Sequence, residues 1–107
     1  LNERVCPYDL SIMPLFDKDG MDELANSLLS EILSIRGVQV NLDSTGSIGK
    51  RYARADEIGV PWAVTVDHSS LVDGTVTIRN RDNQQQIRVG TEKLISHIES
   101  GDISSLF

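Results

Sequence analysis

The most informative segment of the chain reads Gly46-Ser-Ile-Gly-Lys-Arg-Tyr-Ala-Arg-Ala-Asp-Glu-Ile-Gly-Val-Pro-Trp-Ala-Val-Thr-Val-Asp67. Its first half predicts a helix, because Ser47 is a favoured N-cap residue and Gly59 is a favoured residue just past a helix end. The Trp-Ala-Val-Thr-Val run that follows has little polar alternation, which is typical of a central strand. The segment therefore predicts a helix that leads directly into a buried strand.

The residues before this segment predict a strand, a helix and a second strand. Apolar residues alternate over residues 8–15 and again over 38–42, which indicates two strands. Between them, apolar side chains from Met21 to Ile35 recur at a spacing of three and four, as in an amphipathic helix. Asp19 is its predicted N-cap, and Gly37 is its predicted stop. A strand, helix and strand of this size predict a right-handed parallel crossover.

The residues after the segment predict a hairpin and a last helix. Residues 68–74 are expected to be a connection, and residues 75–80 and 84–89 are expected to be strands joined by a turn at 81–83. A helix follows from Gly90 to Gly101. The fold class predicted from these elements is α/β: a three-layer sandwich in which a five-stranded mixed sheet, parallel first and antiparallel later, is covered by three helices.

Size and composition indicate one globular domain. The 107 residues are 39% hydrophobic, which suffices for a modest core. We expect a single domain over residues 1–107, cut from a longer protein because the chain begins at Leu1 rather than Met. The single cysteine, Cys6, suits a reducing compartment. No apolar run approaches the roughly 18 residues of a membrane span, so no membrane association is predicted.

The charge of the chain is unevenly distributed. The net charge is −6, which at first disfavours nucleic acid as a partner. However, residues 1–45 hold three basic and eight acidic residues, whereas residues 46–89 hold six basic and five acidic ones. A local basic face can therefore bind phosphate while the remainder of the chain stays acidic, and such binding depends steeply on salt.

No residue pattern in the chain indicates catalysis or metal binding. Asp56 and Glu57 are adjacent, so on a helix they diverge by about 100° instead of converging as an acid and base. The two histidines, His68 and His97, and the one cysteine have no ligand spacing. The run Thr45-Gly-Ser-Ile-Gly-Lys50 resembles a phosphate cradle but lacks the Walker spacing. It is either a helix N-cap that also contacts an RNA phosphate or a nucleotide loop.

Two further features have both a functional and a structural interpretation. The hairpin Arg79-Asn-Arg-Asp-Asn-Gln-Gln-Gln-Ile-Arg88 crowds guanidinium and amide groups around one turn. Such groups bind base edges and phosphates in unpaired RNA, but they also form polar hairpins held by Arg–Asp pairs. His68, just after the central strand, is either a residue that stacks on a base or an exposed loop histidine. Chemistry alone leaves both questions open.

Beyond these residue types, the segment quoted above closely resembles the C-terminal anticodon-binding domain of the dimeric archaeal and eukaryotic glycyl-tRNA synthetases. So do Asp73-Gly-Thr-Val-Thr-Ile-Arg-Asn-Arg-Asp82 and Gln85-Gln-Ile-Arg-Val89. The resemblance implies a domain that binds the anticodon loop of glycine tRNA. It also implies a parent enzyme that ligates glycine to tRNA with ATP and Mg²⁺ in a separate catalytic domain. The resemblance further implies that this parent is a cytoplasmic homodimer. No cofactor is expected in this domain.

The resemblance also assigns the predicted site residues. Lys50 stands where the family often has arginine near the anticodon, His68 where it often has Phe or Tyr, and Arg81 matches the second arginine of Arg-x-Arg-Asp. Lys50 and Arg81 are expected to contact the cytosine pair of glycine anticodons, and His68 to stack on one base. Arg51, Arg54 and Arg79 are expected to contact phosphates or hold the hairpin. Asn80 replaces the usual aspartate, which is expected to loosen local pairing.

Two other functions fit the sequence. One is a protein-interaction module, in which the acidic helix and an apolar sheet edge bind a partner. The other is a free-standing relative of the synthetases that keeps the fold without tRNA recognition.

Overall fold

The computed structural model describes residues 8–15, 20–44 and 46–107. These ranges form a five-stranded sheet, four α-helices and a short 3₁₀ helix. In chain order the elements are β1 (Leu10–Pro14), α1 (Met21–Leu33), β2 (Val40–Leu42), α2 (Ile48–Ile58), β3 (Trp62–Val66), α3 (His68–Asp73), β4 (Thr75–Asn80), β5 (Gln86–Gly90), α4 (Thr91–Ser100) and the 3₁₀ helix Ile103–Leu106.

The sheet is mixed and has the strand order β2-β1-β3-β4-β5. β1 pairs in parallel with both β2 and β3, while β4 pairs antiparallel with β3 and β5. The predicted change from parallel to antiparallel strands is therefore confirmed, and β3 is the central strand, as its apolar sequence indicated. The carboxyl ends of β1, β2 and β3 meet at one edge of the sheet, which we call the carboxyl edge.

Two apolar clusters on opposite faces of the sheet hold the layers together. The larger cluster joins α1 and α4 to alternate residues of the strands, such as Ile12, Val64 and Ile78. The smaller cluster lies under α2 and takes its strand residues, Met13 and Ala63, from β1 and β3. The predicted three-layer sandwich is confirmed. On the α2 side, this smaller cluster does not extend over β4 and β5.

The structure differs from the prediction at residues 68–74, which form α3 instead of an irregular connection. Asp67 and Ser70 form a capping box: the Asp67 side chain accepts from the Ser70 amide, and the Ser70 hydroxyl accepts from the Asp67 amide. Gly74, at φ +72°, ends the helix. Since a capping box satisfies two amide donors at a helix start, the local sequence itself specifies this helix. The sheet is accordingly accompanied by four α-helices, not three.

α2 begins and ends at the residues predicted from its capping signals, whereas the ends of α1 differ from the predicted ones. The Ser47 hydroxyl accepts from the Lys50 amide at 3.3 Å, and Gly59 ends α2 at φ +95°. α1 ends at Leu33, two residues before the predicted Ile35, and its N-cap position is Gly20. The predicted cap, Asp19, lies outside the described residues.

Over the part of the chain that the structure describes, no helix is long and apolar enough to cross a membrane.

Candidate nucleic-acid interface

Three basic side chains of α2 gather around one glycine at its start. Gly46 has a left-handed backbone at φ +78°, and a Cβ built there would lie 3.8 Å from Arg54 Nη2 and 3.9 Å from Lys50 Cδ. The Gly46 carbonyl also accepts from Arg51 Nε at 3.2 Å and from Arg51 Nη2 at 2.9 Å. Three neighbouring basic residues of α2 therefore lie around Gly46, beside the carboxyl edge of the sheet.

Arg51 differs from the expectation drawn from its charge, because it is buried. Its side chain is on the same side of α2 as Ala55, and its residue exposure is 5%. Besides Gly46, its guanidinium donates to the carbonyl of Pro14 at the end of β1. Arg51 therefore ties the loop before α2 to the sheet, and its position beneath the surface removes it from the set of candidate phosphate contacts.

Lys50 and Arg54 remain at the surface. Lys50 is exposed in the first turn of α2. Arg54 pairs with Asp43, just after β2, at 2.5 Å, and 40% of its side chain is still accessible. Arg54 is therefore both ion-paired and partly accessible to solvent. Both side chains are therefore accessible from solvent near Gly46.

The β4–β5 turn presents Arg81 at the opposite end of α2. The Arg81 amide donates to the Pro61 carbonyl at 3.0 Å, and its Nη1 lies 3.9 Å from a Cβ built on Gly59. Its guanidinium pairs with Asp82 at 3.0 Å, and 40% of its side chain is exposed. A surface pair of this kind is weak, so a base or phosphate can compete for the guanidinium.

Asn80 closes this turn with its side chain and its backbone. Its Oδ1 accepts from the Asp82 amide at 2.8 Å, while its backbone pairs with Gln84 and Gln85. An asparagine side chain can form this Asx turn as aspartate does, since both offer an acceptor oxygen at the same position. The loosening expected from the Asp-to-Asn change stays a prediction.

Arg79 joins the hairpin to α2. It pairs with Asp56 at 3.5 Å, and its guanidinium carbon lies 4.7 Å from the centroid of the Tyr52 ring. Only 15% of its side chain is accessible. Of the two roles predicted for Arg79, the geometry favours holding the hairpin over contacting phosphate. The pair with Asp56 also matches the salt-bridged interpretation of that carboxylate.

His68 is exposed at the carboxyl edge, where it is the first residue of α3. The residue before it, Asp67, accepts from Arg88 Nη2 at 2.5 Å, and Arg88 Nη1 donates to the Thr75 hydroxyl at 2.9 Å. Burial raises the pKa of Asp67, but hydrogen bonds from Arg88 and Ser70 outweigh it and bring that pKa below its ordinary value. The same hydrogen bond acts in the opposite direction on Arg88 and raises its pKa.

Arg88 is the residue that sequence reasoning left out of the site. The sequence placed Arg88 in the hairpin, but its partner Asp67 is 21 residues earlier and follows the end of β3. Strand alternation places Arg88 on the α2 side of the sheet, opposite Thr77 in the register of β4 and β5. Only this register, which the sequence does not fix, brings Arg88 to the carboxyl edge.

The predicted base contacts do not converge on a single point. Lys50 and Arg81 lie at opposite ends of α2, which places them about 14 Å apart along the helix axis. His68 precedes β4 and Arg81 follows it, so the strand separates them by about 17 Å. The three residues can therefore contact different nucleotides of one loop, whereas they cannot surround one base.

Comparison with known proteins identifies the family of this chain. The family model of the anticodon binding domain matches residues 9–100, and the chain belongs to that family. Among curated proteins, the glycine–tRNA ligase of Methanothermobacter thermautotrophicus is 48% identical over 99 residues, which cover 92% of this chain and 17% of the relative. The glycine–tRNA ligase of Treponema denticola is 42% identical over 97 residues, 91% of this chain and 21% of the relative. The similarity to glycyl-tRNA synthetases that the sequence indicated is confirmed.

Solved structures support the fold independently. The prolyl-tRNA synthetase of Cryptosporidium parvum matches with a TM-score of 0.79 at 21% identity, over 88% of this chain and 20% of that one. The RNA binding domain of the threonyl-tRNA synthetase of the same organism also matches with a TM-score of 0.79 at 21% identity, over 91% of this chain and 24% of that one. The chain spans about a fifth of the length of the glycine–tRNA ligases that it matches.

Proposed function

We propose that this chain binds the anticodon loop of glycine tRNA as one domain of a glycine–tRNA ligase. The observation that carries the proposal is the 48% identity to such a ligase over 92% of the chain, together with the family match. The structure supports it by placing Lys50, Arg54, His68 and Arg81 at the surface along α2 and both ends of the hairpin.

The roles of these residues follow from their chemistry. Arg81 offers a planar fork that fits the edge of a base, and Lys50 offers a mobile ammonium for a base edge or phosphate. Arg54 is placed for phosphate, and His68 for stacking on an unpaired base. Arg51 and Arg79 hold the site in shape from beneath, because their guanidinium groups are occupied by carbonyls and by Asp56 and Tyr52.

The remaining activity is assigned to the parent enzyme. This proposal also covers the parent enzyme: it would ligate glycine to tRNA with ATP and Mg²⁺ in a separate catalytic domain, form a homodimer and reside in the cytoplasm. Within the described ranges, no group of three or more His, Cys, Asp or Glu side chains is arranged to hold a metal ion. The Gly46 carbonyl accepts from Arg51, and the Ser47 hydroxyl accepts from the Lys50 amide, so these two groups serve as structural acceptors.

The proposal is tested with an RNA stem-loop that carries a glycine anticodon and a matched loop in which the two cytosines are changed. We expect the chain to prefer the glycine loop, and we expect its affinity to fall steeply between 50 and 200 mM salt. Arg81→Ala should reduce the preference by about 1–3 kcal/mol. Arg36→Ala, a change at an exposed arginine after α1, is the matched control and should leave the preference intact.

Equal affinity for the two loops would contradict anticodon recognition. Failure to bind either loop, together with salt-insensitive binding of a protein partner, would instead favour an interaction module, since apolar contacts are little screened.

A further inference from the structure

We propose that Arg88 is a positioning residue for RNA binding: its guanidinium clamps both ends of α3 and so fixes His68 where a base would stack. The inference rests on the proposed function, because His68 has this role only if the chain binds an anticodon loop. It adds Arg88, Asp67 and Thr75 to the residues on which recognition depends, although none of them needs to contact RNA.

α3 receives little support from its own helical stability and only partial support from apolar burial. It has six residues, well below the ~12–15 that an isolated helix needs to be even marginally stable. Its only buried residue is Ser70. Of its two apolar side chains, Val72 is 86% exposed, whereas Leu71 is 40% exposed and its Cδ2 lies 3.6 Å from a Cβ built on Gly20, at the start of α1. Besides this contact of Leu71, we expect the polar contacts at its two ends to supply much of its order.

Arg88 makes contacts at both of these ends. At the start of α3, its Nη2 donates to Asp67 Oδ2 at 2.5 Å, while Asp67 Oδ1 accepts from the Ser70 amide at 3.2 Å. Beyond the end of α3, its Nη1 donates to the Thr75 hydroxyl at 2.9 Å. That hydroxyl donates in turn to Asp73 Oδ1, on the last residue of the helix, at 2.6 Å. One guanidinium thus bridges the two helix ends.

The clamp reaches His68 through the N-cap. Asp67 has two carboxylate oxygens, of which one caps the helix and the other binds Arg88, so the guanidinium fixes the orientation of the capping group. His68 is the next residue, in the first turn, and loss of a cap frays that turn first. A base that stacks on His68 would therefore meet a pre-ordered ring in the native protein and a disordered one without the clamp.

The clamp itself is tested without RNA, by hydrogen exchange of the Ser70 and Gly74 amides in the 107-residue chain. Arg88→Gln and Asp67→Asn are each expected to speed this exchange severalfold, since asparagine keeps a capping oxygen but loses the ionic contact. The amides of α4 from Ile95 to Ser100 serve as the internal control and should exchange at an unchanged rate; the Thr91 amide is left out because it donates to the Gly74 carbonyl. Unchanged exchange of Ser70 and Gly74 would overturn the clamp.

The link to RNA is tested with the glycine stem-loop, in wild-type and His68→Ala backgrounds. His68→Ala should weaken binding roughly tenfold through lost stacking. Arg88→Gln and Asp67→Asn should each weaken it by a comparable or smaller factor, and neither should weaken it further once His68 is alanine. A stem-loop that lacks the stacked base should bind all four proteins alike.

The alternative role for Arg88, a direct phosphate contact, gives the opposite result. Arg88→Gln would then weaken binding in the His68→Ala background as well and lower the salt slope by about one, while Asp67→Asn would not. That outcome would overturn the positioning role and leave the proposed function standing. Failure of the wild-type chain to bind the stem-loop would overturn the proposed function and this RNA role together, whereas the exchange experiment would still decide the clamp.

Discussion

The Arg79 guanidinium lies over the ring of Tyr52, with its central carbon 4.7 Å from the ring centroid. The ring is itself fixed, because the Tyr52 hydroxyl is hydrogen bonded to the Thr65 hydroxyl at 2.7 Å. Arg79 belongs to β4, Thr65 to β3 and Tyr52 to α2. The contact therefore links α2 to the hairpin, the two elements that present Lys50 and Arg81.

The first prediction follows from this link. Arg79→Met keeps the aliphatic part of the side chain but removes the contact with the ring and the pair with Asp56, so we expect it to destabilise the fold by about 1–2 kcal/mol. Urea unfolding followed by the fluorescence of Trp62, the single tryptophan, measures the loss. In a Tyr52→Leu background, the same change should cost less. Equal costs in both backgrounds would mean that the ring contact contributes nothing.

The second prediction concerns Arg51. Arg51→Met leaves the Pro14 carbonyl without this buried donor and frees the Gly46 carbonyl, so we expect a loss of about 1–3 kcal/mol in unfolding free energy. Arg51→Lys should recover only part of it, because an ammonium cannot reproduce the planar fork that reaches two carbonyls. Urea midpoints of the three proteins decide this. A variant of wild-type stability that binds the stem-loop more weakly would return Arg51 to the RNA contacts.

The third prediction concerns Lys50. Lys50 is an exposed cation in the first turn of α2, so we expect it to contact phosphate and to add affinity without base selectivity. We expect Lys50→Ala to weaken binding of the glycine and altered loops alike and to lower the salt slope by about one. Lys93→Ala, a change at an exposed lysine on α4 and the far side of the sheet, is the control. If Lys50→Ala instead weakens only the glycine loop, Lys50 reads a base.

The sequence predicted most of the fold because its signals are local. Ser47 and Gly59 bound α2 through groups within a few residues of themselves, and the apolar run of β3 identifies a central strand without reference to any partner. α3 could also have been predicted, since Asp67 and Ser70 have the spacing of a capping box. That signal was hidden by the brevity of the helix and by the exposed residues that follow.

The site was less predictable because its contacts are distant in sequence. Arg51 shares a helical face with Ala55, which periodicity could indicate, but its acceptor, Pro14, is 37 residues away and belongs to β1. A cation was therefore expected at the surface where the structure has a buried tether. The pair of Arg88 with Asp67 depends on the register of three strands. No pattern within one element contains that register.

The last prediction is a dependence of stability on pH that arises from Asp67. Its folded-state pKa is lower than its ordinary value of about 4, so the ionised carboxylate stabilises the native state above that pH, and the stabilisation is lost as the pH falls through the folded pKa. Wild type should exceed Asp67→Asn by about 1 kcal/mol at pH 7, and the difference should shrink below pH 4. Urea midpoints at pH 7, 5, 4 and 3 measure this difference.

The control is Asp82→Asn, which removes the exposed partner of Arg81. It should have little effect at pH 7, because an ion pair so exposed contributes little. A difference between wild type and Asp67→Asn that stays constant from pH 7 to pH 3 would show that the contact with Arg88 does not depend on the carboxylate charge.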